Sequence, residues 1–179
     1  MRITATKIAQ WAKTARARLA LPRLVRKLVH TAGTPLGVAF PAGDSTALPG
    51  WDGELLSEEG SPWIPKGNSF WEFSCEAQVT KKANQDYKKR TKQTKSKVRK
   101  KSILVVLTAQ RWTQKSRWLN ARRKENKWRH VRAYDADDLE QWLEQCAPVA
   151  LEFGEELGLI GPGVESPVKH WEGWSRQSD

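Results

Sequence analysis

A chain of 179 residues with 39% hydrophobic residues and ten tryptophans is long enough for one packed domain. Its charged share of 28% and mean hydropathy of −0.68 require a heavily charged surface around that core. This balance excludes a disordered polypeptide, and the absence of any apolar run near the roughly 20 residues that cross a bilayer excludes a membrane-spanning helix.

The net charge of +11 is segregated along the chain. Residues 79–132 carry 20 Lys or Arg against two acids, Asp86 and Glu125, whereas residues 133–179 carry 11 acids against Lys169 and Arg176. So basic a block points to a polyanionic partner, nucleic acid first, with a solvated basic face as the plain alternative. The opening residues lack the apolar stretch of a secretion signal, and Cys75 and Cys146 fall on a strand and a helix that read as buried. Reduced thiols in a cytoplasmic protein are expected.

In chain order, residues 6–16 place Ile8, Trp11, Ala12 and Ala15 at helical spacing, with Thr4 or Thr6 as cap. The stripe Leu21, Leu24, Val25, Leu28 and Val29 predicts a second helix with Pro22 in its first turn and Gly33 at its end. Short strands follow at 36–40 and 51–56, the second crossing a Gly/Pro-rich stretch at 41–67 that holds Asp44 and Asp52. In the strand predicted for 70–75, Trp71, Phe73 and Cys75 share one face, while Glu72 faces the other way with Phe70 and Ser74.

A helix is expected from Thr80 to about Thr91, packed through Ala83 and Tyr87, and beyond Arg90 a frayed end or mobile loop. The apolar, β-branched run at 102–108 reads as a central strand buried on both faces. A basic helical crossover at 112–124, a strand at 128–134 and a helix capped by Asp135 or Asp137 complete the pattern, with a further turn from Pro148. Trp11, Trp71 and Trp142 read as core. Trp112, Trp118 and Trp128 are interleaved with basic residues, and core packing is preferred for them over base stacking. Residues 1–158 form an α/β domain, a mixed β-sheet flanked by helices on both faces, and 159–179 a linker or tail of a longer protein with further domains.

No histidine stands near cysteine at zinc-ligand spacing, and neither a phosphate-cradling glycine loop nor a Gly-x-Ser-x-Gly elbow is present. What remains is Asp52 and Glu72 beside many lysines. Two carboxylates on neighbouring strands can hold Mg²⁺ or Mn²⁺, activate a water and stabilise charge developing on a phosphodiester, with a lysine offsetting the phosphate. The alternative for Glu72 is an ion pair with Lys81, Lys82 or Arg111, and for Asp52 plain turn chemistry in Trp-Asp-Gly.

The order of elements, with Asp52 and Glu72 on successive strands, resembles the PD-(D/E)XK restriction-endonuclease-like nucleases. More specifically, Phe-Pro-Ala-Gly-Asp-Ser at 40–45, Pro-Gly-Trp-Asp-Gly at 49–53 and Trp-Ile-Pro-Lys-Gly-Asn-Ser-Phe-Trp-Glu at 63–72 are similar to the amino-terminal domain of large bacterial phage-defence proteins with ATPase or sensor regions. The same holds for Lys-Lys-Ala-Asn-Gln-Asp-Tyr-Lys-Lys-Arg-Thr at 81–91 and Val-Arg-Ala-Tyr-Asp-Ala-Asp-Asp-Leu-Glu-Gln-Trp-Leu at 131–143. The resemblance implies a restriction-endonuclease-like fold and a Mg²⁺-dependent deoxyribonuclease. Its metal ligands are Asp52 and Glu72, and the basic block supplies the face for duplex DNA through Lys81, Lys88, Lys89, Arg90, Lys92, Arg111, Lys115 and Arg117.

One position departs from that pattern. The family's lysine stands two residues after the acid, and here that residue is Ser74. Either a lysine of the next helix replaces it, Lys82 first and Lys81 second, or the domain binds nucleic acid without cutting it. A third reading is a protein-interaction adaptor whose acidic carboxy-terminal part, with Trp171 and Trp174, docks on an oligomeric partner, and a homo-oligomer stays open.

Overall fold

The computed structural model describes residues 2–43 and 50–159. Asp44, His170, Trp171, Trp174 and the tail from residue 160 lie outside them. The elements are α1 (Ala5–Trp11), α2 (Ala15–Ala32), β1 (Gly37–Ala39), β2 (Gly53–Ser57), β3 (Gly67–Ser74) and α3 (Val79–Gln93). They continue with α4 (Ser96–Arg99), β4 (Ile103–Thr108), α5 (Lys115–Lys124), β5 (His130–Tyr134), α6 (Ala136–Glu144) and α7 (Ala147–Glu156). The five strands lie in chain order in one mixed sheet: β1, β2 and β3 run antiparallel to their neighbours, then β3, β4 and β5 run parallel.

Parallel neighbours need crossovers, and α3 with α4, and then α5, provide them. β4 is buried at every residue, as its continuous apolar run predicts. Its side chains divide between two cores. Ile103, Val105 and Leu107 join Trp71, Phe73, Leu55 and the apolar stripes of α1, α2, α6 and α7. Leu104 and Val106 join Phe70, Val131, Ala133, Tyr87 and Ala83 under α3 and α5, together with Trp112, Trp118 and Trp128. All three of those tryptophans are thus core residues, and their indole N–H groups donate to Thr80, Asn84 and Thr91.

Several local expectations give way to competing caps. The helix expected over residues 6–16 stops at Trp11, because Thr14 caps a new helix by accepting from the Ala17 N–H. Pro22 consequently lies in the interior of α2 rather than its first turn, with no N–H to give to the Arg18 carbonyl. The stretch beyond Arg90 is ordered by main-chain acceptors: Arg99 donates to the Thr94 and Lys127 carbonyls and Lys100 to that of Asn126, closing α4 against the turn before β5. Asp135 caps α6 in a reciprocal box with Asp138. Among the described residues no helix is long and apolar enough to cross a membrane.

Candidate functional site

β2 and β3 pair with Gly53 opposite Trp71, which brings the residue before Gly53, Asp52, beside the carboxyl half of β3. Asp52 precedes β2 instead of lying within a strand from residue 51, and its Oδ2 accepts from the Phe73 N–H at 2.8 Å. Close packing requires a glycine at 53: a Cβ there would lie 2.4 Å from the ring of Phe40 and 3.2 Å from Cβ of Trp71. Glu72 alternates to the opposite face from Trp71 and Phe73, under α3, and is buried.

The inner face of α3 decides what Glu72 meets. Val79, Ala83, Asp86, Tyr87 and Arg90 are its buried residues, a stripe of helical spacing in which two members are charged. Arg90 Nε donates to Glu72 Oε1 at 2.5 Å, and both side chains are under a tenth exposed, at 8% and 4%. The same guanidinium donates to the Gly50 carbonyl and lies 4.3 Å over the ring of Trp51, which in turn stacks on Phe70 at 4.6 Å. One turn earlier, Lys82 Nζ donates to Asp86 Oδ1 at 2.5 Å.

A cavity of about 250 Å³ opens at the carboxyl end of β3, lined by Trp51, Asp52, Phe73, Ser74, Lys82 and Arg18 among others. It brings Asp52 and Lys82 together, while Glu72 and its partner Arg90 lie off its wall. Burial first, and then the charges of Asp52 and Asp86, raise the Glu72 carboxyl to about 7 against the opposing bond and charge of Arg90. Asp52 is raised as well, first by burial and also by Asp86, with the Phe73 N–H acting the other way. Three carboxyl groups therefore feel one another here, balanced by two cations from α3.

Ser74, two residues after Glu72, accepts from the Glu76 N–H at 3.1 Å and turns the chain out of β3. Lys81 is exposed and off the cavity wall, so of the two candidate substitutes only Lys82 shares the cavity with Asp52. The cation on Glu72 is Arg90, not Lys81, Lys82 or Arg111. No family model matches this chain, nor does any curated protein or solved structure.

The expected nucleic-acid face is divided by the structure. Lys81, Lys88, Lys89, Lys92 and Arg117 are exposed on α3 and α5, and Lys81, Lys88 and Lys92 follow one outer stripe. Arg90 is not on that face, because it is buried against Glu72. Lys115 is half-buried between Asp135 at 2.8 Å and Asp138 at 2.5 Å, and Arg111 is exposed but paired with Asp137 at 3.1 Å. The acids that open α6 thus neutralise two of the eight basic residues expected to contact nucleic acid. Asp86 and the inward role of Arg90 escape a reading that assigns charges to the surface. The signal was their spacing from Val79, Ala83 and Tyr87.

Proposed function

We propose that this domain is a Mg²⁺-dependent endonuclease acting on DNA, with Asp52 and Glu72 as the metal-holding carboxylates and Lys82 as the supporting cation. The observation that carries the reading is the cavity at the end of β3, where Asp52 and Lys82 meet and whose acid couples to Glu72. Among the described residues no three His, Cys, Asp or Glu side chains are assembled as a metal cage. A two-carboxylate oxygen set suits Mg²⁺, which keeps several waters and takes phosphate oxygens as further ligands. The bound ion would supply an activated water and stabilise charge on the phosphodiester.

Asp52 is fixed for this by the Phe73 N–H, which orients one oxygen and leaves the carboxylate at the cavity. Lys82 offsets the charge of an incoming phosphate. The exposed lysines of α3, with Arg117 of α5, supply the sequence-independent attraction for duplex DNA. A setting in the bacterial cytoplasm, within a longer phage-defence protein, belongs to the same proposal.

The ion pair of Arg90 with Glu72 favours a second reading, a nucleic-acid-binding module that does not cut, because a resident guanidinium already occupies one oxygen of that acid. Crystals soaked in Mn²⁺ separate the two through anomalous scattering. The nuclease reading predicts Mn²⁺ about 2.1 Å from oxygens of Asp52 and Glu72, with Arg90 moved off the shared oxygen. Crystals without Mn²⁺ at these acids and with Arg90 in place would favour the silent module.

A further inference from the structure

Asp86 has no part in the scheme above, yet its surroundings are not those of a surface ion pair. Its side chain is 6% exposed and its Oδ1 holds the Lys82 ammonium at 2.5 Å. Oδ2, the second oxygen, is a buried side-chain atom with no hydrogen-bond partner. An acid placed on a helix for stability alone would have both oxygens satisfied or in water, since a buried unpaired acceptor loses its hydration with nothing in return. Lys82 shows the complementary asymmetry. Its side chain is 33% exposed and lines the Asp52 cavity, so the pair has one end in the core and the other at the cavity.

The spacing explains how this is built. Lys82 and Asp86 are four apart on α3, one turn, and Asp86 is flanked on the inner stripe by Ala83, Tyr87 and Arg90, which pack on the sheet. α3 is therefore registered on β3 by its apolar residues and by the bond of Arg90 to Glu72, and Asp86 inherits a fixed position from that packing. A lysine rooted directly on β3 would be held by the strand. A lysine rooted on a helix, with a flexible four-carbon stem, needs another group to fix its ammonium.

We propose that Asp86 is a positioning residue that holds the Lys82 ammonium at the Asp52 cavity, so that the two residues act as one unit in place of the lysine absent at Ser74. This rests on the hydrolytic reading above for its consequence, and on the geometry of the pair for its substance. Asp86 touches neither the phosphodiester nor its water and acts through Lys82. Its negative charge also bears on Asp52 and Glu72, both of which it raises, so the pair keeps the local charge balanced while it places the cation.

The test uses the intact chain with Asp86→Asn, Lys82→Met, the double variant and Asp86→Glu. In Mn²⁺ with duplex DNA, each of the first two slows single-turnover cleavage by about 100-fold, the cost of a misplaced reacting group. The double variant is no slower than the slower single one, and Asp86→Glu recovers part of the rate. Wild-type cleavage by Asp86→Asn, or a double variant slowed by the product of both effects, overturns the proposal.

A second readout is independent of cleavage. Acylation of lysines by acetic anhydride, followed peptide by peptide in a mass spectrometer, rises several-fold at Lys82 in Asp86→Asn and stays unchanged at exposed Lys81. Unchanged acylation of Lys82 overturns the proposal even in a chain that cuts DNA. Raised acylation in a chain that does not cut supports the pair and removes the hydrolytic reading alone.

Discussion

Glu72 is the residue on which the site's chemistry turns. Burial, with the Asp52 charge behind it, raises its carboxyl from 4.5 to about 7, so between those values the folded chain keeps a proton that the unfolded chain has released. Stability contributed by this group is therefore complete below about pH 4.5 and is lost as pH rises to about 7. Glu72→Gln removes the titration. Urea denaturation at pH 5 and pH 7.5 should show the wild-type midpoint falling more than that of the variant, whatever the variant's absolute stability. Equal slopes would mean that Glu72 titrates near its ordinary value. Arg90 was legible as a basic residue and misleading as a surface one, since nothing in a single charged letter says whether its partner is a phosphate or a buried carboxylate. Only the coincidence of Arg90 and Asp86 with the apolar stripe of α3 marks them as inward.

At the scale of elements, patterns with strong periodicity or long apolar runs were readable, and boundaries set by single caps were not. β4 and the amphipathic stripe of α6 lie where their residues place them, and so does the alternation of β3 that divides Trp71 and Phe73 from Glu72. The break between α1 and α2 depends on one threonine hydroxyl at Thr14, and α4 depends on carbonyls more than 25 residues away at Asn126 and Lys127. Contacts so distant leave no local periodicity to read.

The junction of Asp52 with β2 shows the same dependence, since Gly53 is required by the ring of Phe40 and not by its own turn. Gly53→Ala forces the Phe40 ring, only 1% exposed, to move against Trp71 and Phe73. A loss of about 1–3 kcal/mol in thermal or urea unfolding is expected from such overpacking, and Asp52 shifts with it. An unchanged unfolding midpoint would show that the close approach is relaxed elsewhere.

For the whole molecule, the segregation of charge seen in the sequence has two outcomes in the fold. Part of the basic block is consumed internally, where Arg90 meets Glu72, Lys82 meets Asp86, and Lys115 meets Asp135 and Asp138. The remainder, including Lys81, Lys88, Lys89, Lys92 and Arg117, is exposed on the α3 and α5 side of the sheet, the side on which Glu72 is buried. Under the proposed function, binding and cleavage would fall to different residues: the outer lysines would attract the backbone of DNA, and the cavity at the end of β3 would act on it.

Asp52→Asn separates these functions, because it removes a carboxylate charge from the cavity and leaves the basic face intact. The most direct measurement is cleavage of linear duplex DNA in Mg²⁺ and in Mn²⁺ by the wild-type chain and by Asp52→Asn, with binding measured on the same samples in chelator. The proposed function predicts cleavage by the wild type, a loss of at least about 100-fold in Asp52→Asn, and unchanged DNA affinity that weakens with salt in both. Equal cleavage by the two chains, or binding by the wild type without cleavage in either metal, would contradict it.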